Sequence, residues 1–168
     1  MRGELPFGSQ AAAVGFVRPG LPIDRVEAIL KTAISALLLD TLGTIREELA
    51  GPYTIARAER GESGWCAAEI LRAKGAHLLR RSGQAVASEA EALFQQALDL
   101  ARHQKALSWE LRSATSLARL LRQESRRDHA RAVLAPVYGR FSEGFECADL
   151  VEAKSLLDDL DQSWGRGG

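Results

Sequence analysis

Apolar residues in this chain recur at helical spacing almost throughout. Val26, Ile29, Leu30, Ala33, Ile34, Leu37 and Leu38 fall three or four apart, the period of one helix face. Asp24 precedes Glu27 by three residues, a capping-box arrangement with Asp as the cap. The pattern predicts a helix over about 24–49, weakened at Gly43 and ended by Gly51-Pro52. Upstream, Gly3, Pro6, Gly8, Gly15, Pro19, Gly20 and Pro22 interrupt any period, so residues 1–22 read as loop, with at most a short strand near Val14–Val17. Tyr53-Thr54-Ile55 reads either as a brief extended piece or as the start of a further helix. From Trp65 helix-formers dominate, and the spacing predicts helices over about 64–81, 87–104, 108–124, 127–141 and 148–161. Ser88 and Glu91 form an S-x-x-E box at the second of these. Pro136 should kink the fourth, because it removes a backbone donor and crowds the preceding turn. Leu150, Ala153, Leu156, Leu157 and Leu160 give the last helix one apolar stripe. The fold class is therefore all-α. The expected organisation is a loop-rich segment (1–22), a helical segment (23–56), a helical domain (57–162) and a flexible tail (163–168) carrying Trp164.

The second half resembles itself. Gly75 precedes Leu78 as Ala118 precedes Leu121, and Ala90, Phe94 and Ala97 match Ala130, Leu134 and Val137. The two offsets are 43 and 40 residues, and a longer turn around Ser82–Ala87 absorbs the difference. Small residues allow close helix approach, and a large one four positions on fills the gap to the next hairpin. That is the small-then-large logic of the tetratricopeptide repeat, lengthened beyond its usual ~34 residues. Two such units with the last helix as cap make a short array. An ordinary helical bundle with small–large packing is the plainer alternative. Trp65 and Trp109 open the two first helices, where packing between units suits them better than anchoring a partner.

Three stretches carry a resemblance: Gly64-Trp65-Cys66-Ala67-Ala68-Glu69-Ile70-Leu71-Arg72-Ala73-Lys74-Gly75, Ser108 to Leu120, and Leu134-Ala135-Pro136-Val137-Tyr138-Gly139-Arg140-Phe141 with its continuation to Phe145. Together they resemble, over roughly Arg57 to Leu160, the C-terminal tetratricopeptide-like region of large bacterial multidomain proteins. Those proteins join an adenylate/guanylate cyclase domain or a winged-helix or LuxR-type regulator domain to an NTPase domain and then to these repeats. The resemblance implies a non-catalytic protein-interaction or regulatory role in signal transduction. It does not bring a nucleotide site, since the chain has no G-x-x-x-x-G-K-[ST] phosphate loop. A second resemblance lies in Arg46-Glu47-Glu48-Leu49-Ala50-Gly51-Pro52-Tyr53, which is similar to the R-E-x-L-G-G-x-Y segment in the non-catalytic half of pitrilysin-like zinc peptidases. It implies that Arg46 and Tyr53 help to hold a peptide, and that a strand follows Gly51. Ala50 and Pro52 depart from that pattern, and no H-x-x-E-H occurs to hold the zinc.

Composition narrows the function classes. Twenty-two Lys and Arg balance 22 Asp and Glu, which gives no basic excess for nucleic acid or for an anionic membrane surface. Cys66 and Cys147 stand far apart with no ligand at metal spacing, and read as reduced thiols. The stretch Ala28–Leu42 contains Lys31 and Asp40 and falls short of the ~20 apolar residues of a membrane span. The N-terminus is a poor signal peptide, so the expected location is the cytoplasm. His77, His103 and His129 have no nucleophile beside them in sequence. Glu89 and Glu91 suit a helix start, and Asp158, Asp159 and Asp161 read as solvated. Arg80/Arg81 and Arg122/Arg126/Arg127 form basic clusters at corresponding places, read either as an anion-binding edge or as helix-end charges in water. The expectation is no enzyme, no cofactor and no metal. The partner is a protein or peptide, held on the first helices with Arg72, Arg112 and Arg119 as exposed contact positions, and exposed repeat faces would serve self-association.

Overall fold

A computed structural model describes residues 36–38, 40–41, 51–60 and 62–162. The loop over 1–22, the strand at Val14–Val17, the Asp24 cap, most of the 24–49 helix, Arg46 and the tail with Trp164 lie outside the described residues. Among the described residues the protein is all-α, without a strand. Residues 36–38 and 40–41 are helical.

Helix α1 (Pro52–Glu59) starts on Gly51 with Pro52 in its first turn. Proline suits that place, because the N–H it lacks would have had no partner within the helix. Tyr53, Thr54 and Ile55 are therefore helical, and the strand implied after Gly51 by the peptidase-like segment is replaced by a helix. α1 also runs across the boundary expected between residues 56 and 57, with Thr54 and Ala58 buried on either side of it.

After a 3-10 turn at Gly64–Cys66 come α2 (Ala67–Ser82), a second 3-10 turn at Gly83–Val86, α3 (Ala87–His103), α4 (Leu107–Gln123), α5 (Arg127–Tyr138) and α6 (Ala148–Gln162). The Ser88–Glu91 capping box does not form. The 3-10 turn runs straight into α3, the Ala87 N–H bonds to the Gln84 carbonyl, and Ser88 already lies inside the helix. α5 ends sooner than its periodicity predicts, two residues beyond Pro136.

Two turns share one design. After α3, Ala106 N–H reaches Ala101 O at 2.9 Å and Lys105 N–H reaches Arg102 O at 3.0 Å. After α4, Arg126 N–H reaches Leu121 O at 2.8 Å and Ser125 N–H reaches Arg122 O at 3.0 Å. Both are Schellman closures, with Lys105 (φ 55) and Ser125 (φ 62) in the left-handed position where glycine is usual. The α2–α3 link uses Gly83 instead, at φ 58 and ψ −146, a region open essentially to glycine alone.

Each helix from α1 to α6 packs on the next, and α2 also packs on α4 and α4 on α6. α3 is buried on two sides. Ala90, Phe94 and Leu98 join α4, α5 and α6 in the main core, while Leu93 and Ala97 meet Ala58, Cys66, Ile70 and Leu71 from α1, the first 3-10 turn and α2. Gly75 explains the close approach of α2 and α3: a Cβ there would lie 2.7 Å from the Phe94 ring. Ala118 and Leu134 are likewise fully buried.

Candidate functional site: an arginine-lined groove on α2 and α4

The middle of α2 and α4 brings the three expected contact arginines together. Arg72, Arg112 and Arg119 line one pocket of about 80 Å³ with Thr115, Ser116, Asp149 and Glu152. Their exposure departs from expectation. Only 14% of the Arg72 side chain and 30% of that of Arg112 are accessible, against 48% for Arg119. Of the three, Arg119 alone is exposed.

The reason is a buried carboxylate. Glu69, in the first turn of α2, is 1% exposed. Arg72, one turn on, donates to both its oxygens, from Nε at 2.9 Å and from Nη2 at 2.8 Å. Arg112 reaches Glu69 Oε1 from α4 at 3.0 Å. A charge taken out of water needs such partners, and Glu69 holds two guanidiniums in place. Arg112 also stacks over the Trp109 ring, 5.5 Å from its centroid, and lies 3.9 Å from Asp149 on α6. Trp109 in turn meets Trp65, with ring centroids 6.2 Å apart; Trp65 stays half exposed.

Arg119 pairs with Glu152 of α6. Burial, and then the neighbouring guanidiniums of Arg122 and Arg72, push its pKa below the ordinary arginine value. A wider groove of about 390 Å³ opens beside this pocket, shares Arg72, Ser116 and Arg119 with it, and extends over Ala76, Leu79, Phe94 and Leu120 to Arg80.

Several other charges are paired. Asp159 takes Arg122 at 2.9 Å and Arg127 at 3.7 Å, and Asp161 takes Arg131 at 2.6 Å. Arg126 meets Glu91 at 2.8 Å and Glu124 at 3.1 Å. Asp159 and Asp161, read from sequence as solvated, are indeed about half exposed, and each also pairs with an arginine of α4 or α5. A second buried carboxylate, Glu110, takes Arg102 at 3.1 Å and Arg140 at 2.5 Å. Tyr53 is exposed on α1, with the Arg57 guanidinium 5.9 Å from its ring centroid. Among the described residues no group of three or more His, Cys, Asp or Glu is placed to hold a metal ion, and no helix is long and apolar enough to cross a membrane.

Sequence reasoning missed Glu69 as an organiser and the apolar floor of the groove. The Glu69–Arg72 spacing is a legible i,i+3 pair; the reach of Arg112 to the same carboxylate is not. Compared with known proteins, the chain matches no family model, no curated protein and no solved structure.

Proposed function

We propose that this chain is a non-catalytic interaction module. Two tetratricopeptide-like hairpins, α2–α3 and α4–α5, form a short array, and α6 closes its end as a capping helix. A protein or peptide partner is held on the face shared by α2 and α4, in a cytoplasmic regulatory role like that of the repeat tails the sequence resembles. The observation that carries this reading is the convergence of Arg72, Arg112 and Arg119, from two helices far apart in sequence, on one pocket. The packing of α2 on α4 and of α4 on α6 supports it, because it aligns the first helix of each unit. Gly75 against Phe94 supplies the small–large seam of such a hairpin. The wider groove beside that pocket, bordered by Arg72 and Arg119, measures about 390 Å³, within the few hundred cubic ångströms typical of ligand sites. A balanced net charge gives no electrostatic footing for nucleic acid.

The test is selection from a short random-peptide library on the immobilised full chain, repeated on Gln123→Trp, which fills the groove from its exposed rim. Clones enriched on the native chain and lost on a folded Gln123→Trp variant are the expected result. If no clone is enriched on the native chain, the interaction reading falls.

A further inference from the structure

Taken by itself, the C-terminal end of α6 is electrostatically unfavourable. Asp158, Asp159 and Asp161 crowd that end, and the last turn carries no basic residue. The unpaired carbonyls of a helix C-terminus give it partial negative charge, so carboxylates there oppose the helix. The outer side of α6 is exposed at Val151, Lys154, Ser155 and Asp158, and the inner side leans on α4 and α5. α6 buries four leucines and one alanine, whereas α4 buries nine residues. Fewer buried contacts make α6 the more easily opened of the two.

The neighbouring helices answer these charges. Arg122 of α4 and Arg127 of α5 meet Asp159 at 2.9 and 3.7 Å, and Arg131 of α5 meets Asp161 at 2.6 Å. Arg127 also donates from Nη2 to the Asp159 carbonyl, one of the last four of α6, which have no N–H partner inside the helix. Nearer the other end, Asp149 and Glu152 face Arg112 and Arg119. Asp158 pairs within the helix, with Lys154. The side chains paired across the interface are between 30% and 53% exposed, so salt screens them. The geometry points to α6 as an ionically clasped strap. Arg122, Arg127 and Arg131 neutralise and cap its acidic end, its last turns are helical only while docked, and it opens as a unit when the clasp weakens, with α2 to α5 intact. Opening uncovers the leucines of α6 and frees Arg112 and Arg119 from Asp149 and Glu152 in the pocket they share. The device works whether or not that pocket holds a partner.

The experiment is amide hydrogen exchange on the full chain, followed residue by residue by NMR. Amides of residues 153–157 in α6 are compared with those of residues 94–98 in α3, the helix buried on two sides. The α6 amides should exchange faster by about tenfold or more, and raising sodium chloride from about 0.05 to about 0.5 M should widen that ratio by about threefold. Two substitutions then break the same pair from opposite sides. Arg131→Gln leaves Asp161 facing the helix end and should speed α6 exchange by about twofold or more, whereas Asp161→Asn also removes the opposing charge and should change it less. Unchanged protection of α3 in both variants shows that the fold is kept. Three results overturn the proposal: α6 amides as protected as those of α3, a ratio indifferent to salt, or equal effects of Arg131→Gln and Asp161→Asn, as an ordinary surface ion pair would give. The salt series needs no substitution and decides the matter even if a variant fails to fold.

Discussion

Among the described residues, Glu69 is a buried carboxylate that gathers arginines from two helices. It is 1% exposed and bound by Arg72 and Arg112 from two helices, so Glu69→Ala leaves two guanidiniums, both largely shielded from water, without their anion. Breaking a buried pair in this way costs about 3 kcal/mol or more. Glu152→Ala removes an ion pair whose two side chains are each more than two-fifths exposed, and should cost under about 1 kcal/mol. Urea melts of the two variants decide the ranking; equal losses would mean that Glu69 is not the organiser described above. The cysteines make a second contrast. Burial, and secondarily the Asp40 charge, push the Cys66 thiol up from 9.0 to about 11, while Cys147 is exposed. In the native protein Cys147 alone should react quickly with a thiol reagent, and both should react in denaturant. The pH dependence follows from the raised value: a thiol that ionises near 9 when unfolded and near 11 when folded favours the fold fully below pH 9. That contribution is lost as pH rises through 11. Stability of the native chain relative to Cys66→Ala should therefore fall over this window, and a pH-independent difference between them would contradict the assignment.

At the scale of elements, the turns determine how each helix leads into the next. Ser125 holds a left-handed conformation that disfavours a side chain, so Ser125→Gly should stabilise by about 0.5–1 kcal/mol, the left-handed penalty less the entropy of a freer unfolded chain. Gly83 sits where essentially only glycine is at ease, so Gly83→Ala should destabilise by about 1–3 kcal/mol although open space surrounds it. The opposite signs at two helix-linking turns, read by thermal melts, test backbone conformation with little change in packing. These turns also mark how far local pattern reaches. Helix positions followed from apolar spacing to within a few residues, because a 3.6-residue period is local. The Ser88–Glu91 box failed because a 3-10 turn already supplied an acceptor at the start of α3, and two composition-neutral residues, Lys105 and Ser125, closed turns that sequence rules assign to glycine.

Across the whole molecule, α1 packs on the helix that follows it. Thr54 and Ala58 are buried on it, Ile55 packs on the Cys66–Ile70–Leu93 cluster, and Arg57 bonds to buried Asp40 at 3.2 Å and to the Glu62 carbonyl at 2.8 Å. A fragment starting at Arg57 cuts that helix in two, so it should melt at a lower temperature than a fragment starting at Gly51. Coincident melts would support a boundary at residue 57. The same distinction separates the two sources of information in this protein. Sequence alone determined the all-helical class, the order of the helices, the small residue at Gly75 and the apolar stripe of α6, because periodicity and side-chain volume act between near neighbours. It also picked out Arg72, Arg112 and Arg119. Only the tertiary structure decided that two of them are largely shielded, that Glu69 gathers them, that α6 sets its acids against the arginines of α4 and α5, and that Pro52 starts a helix. Each of those outcomes depends on a charge or an apolar surface brought close by folding from a distant part of the chain, where pairing must offset the loss of water.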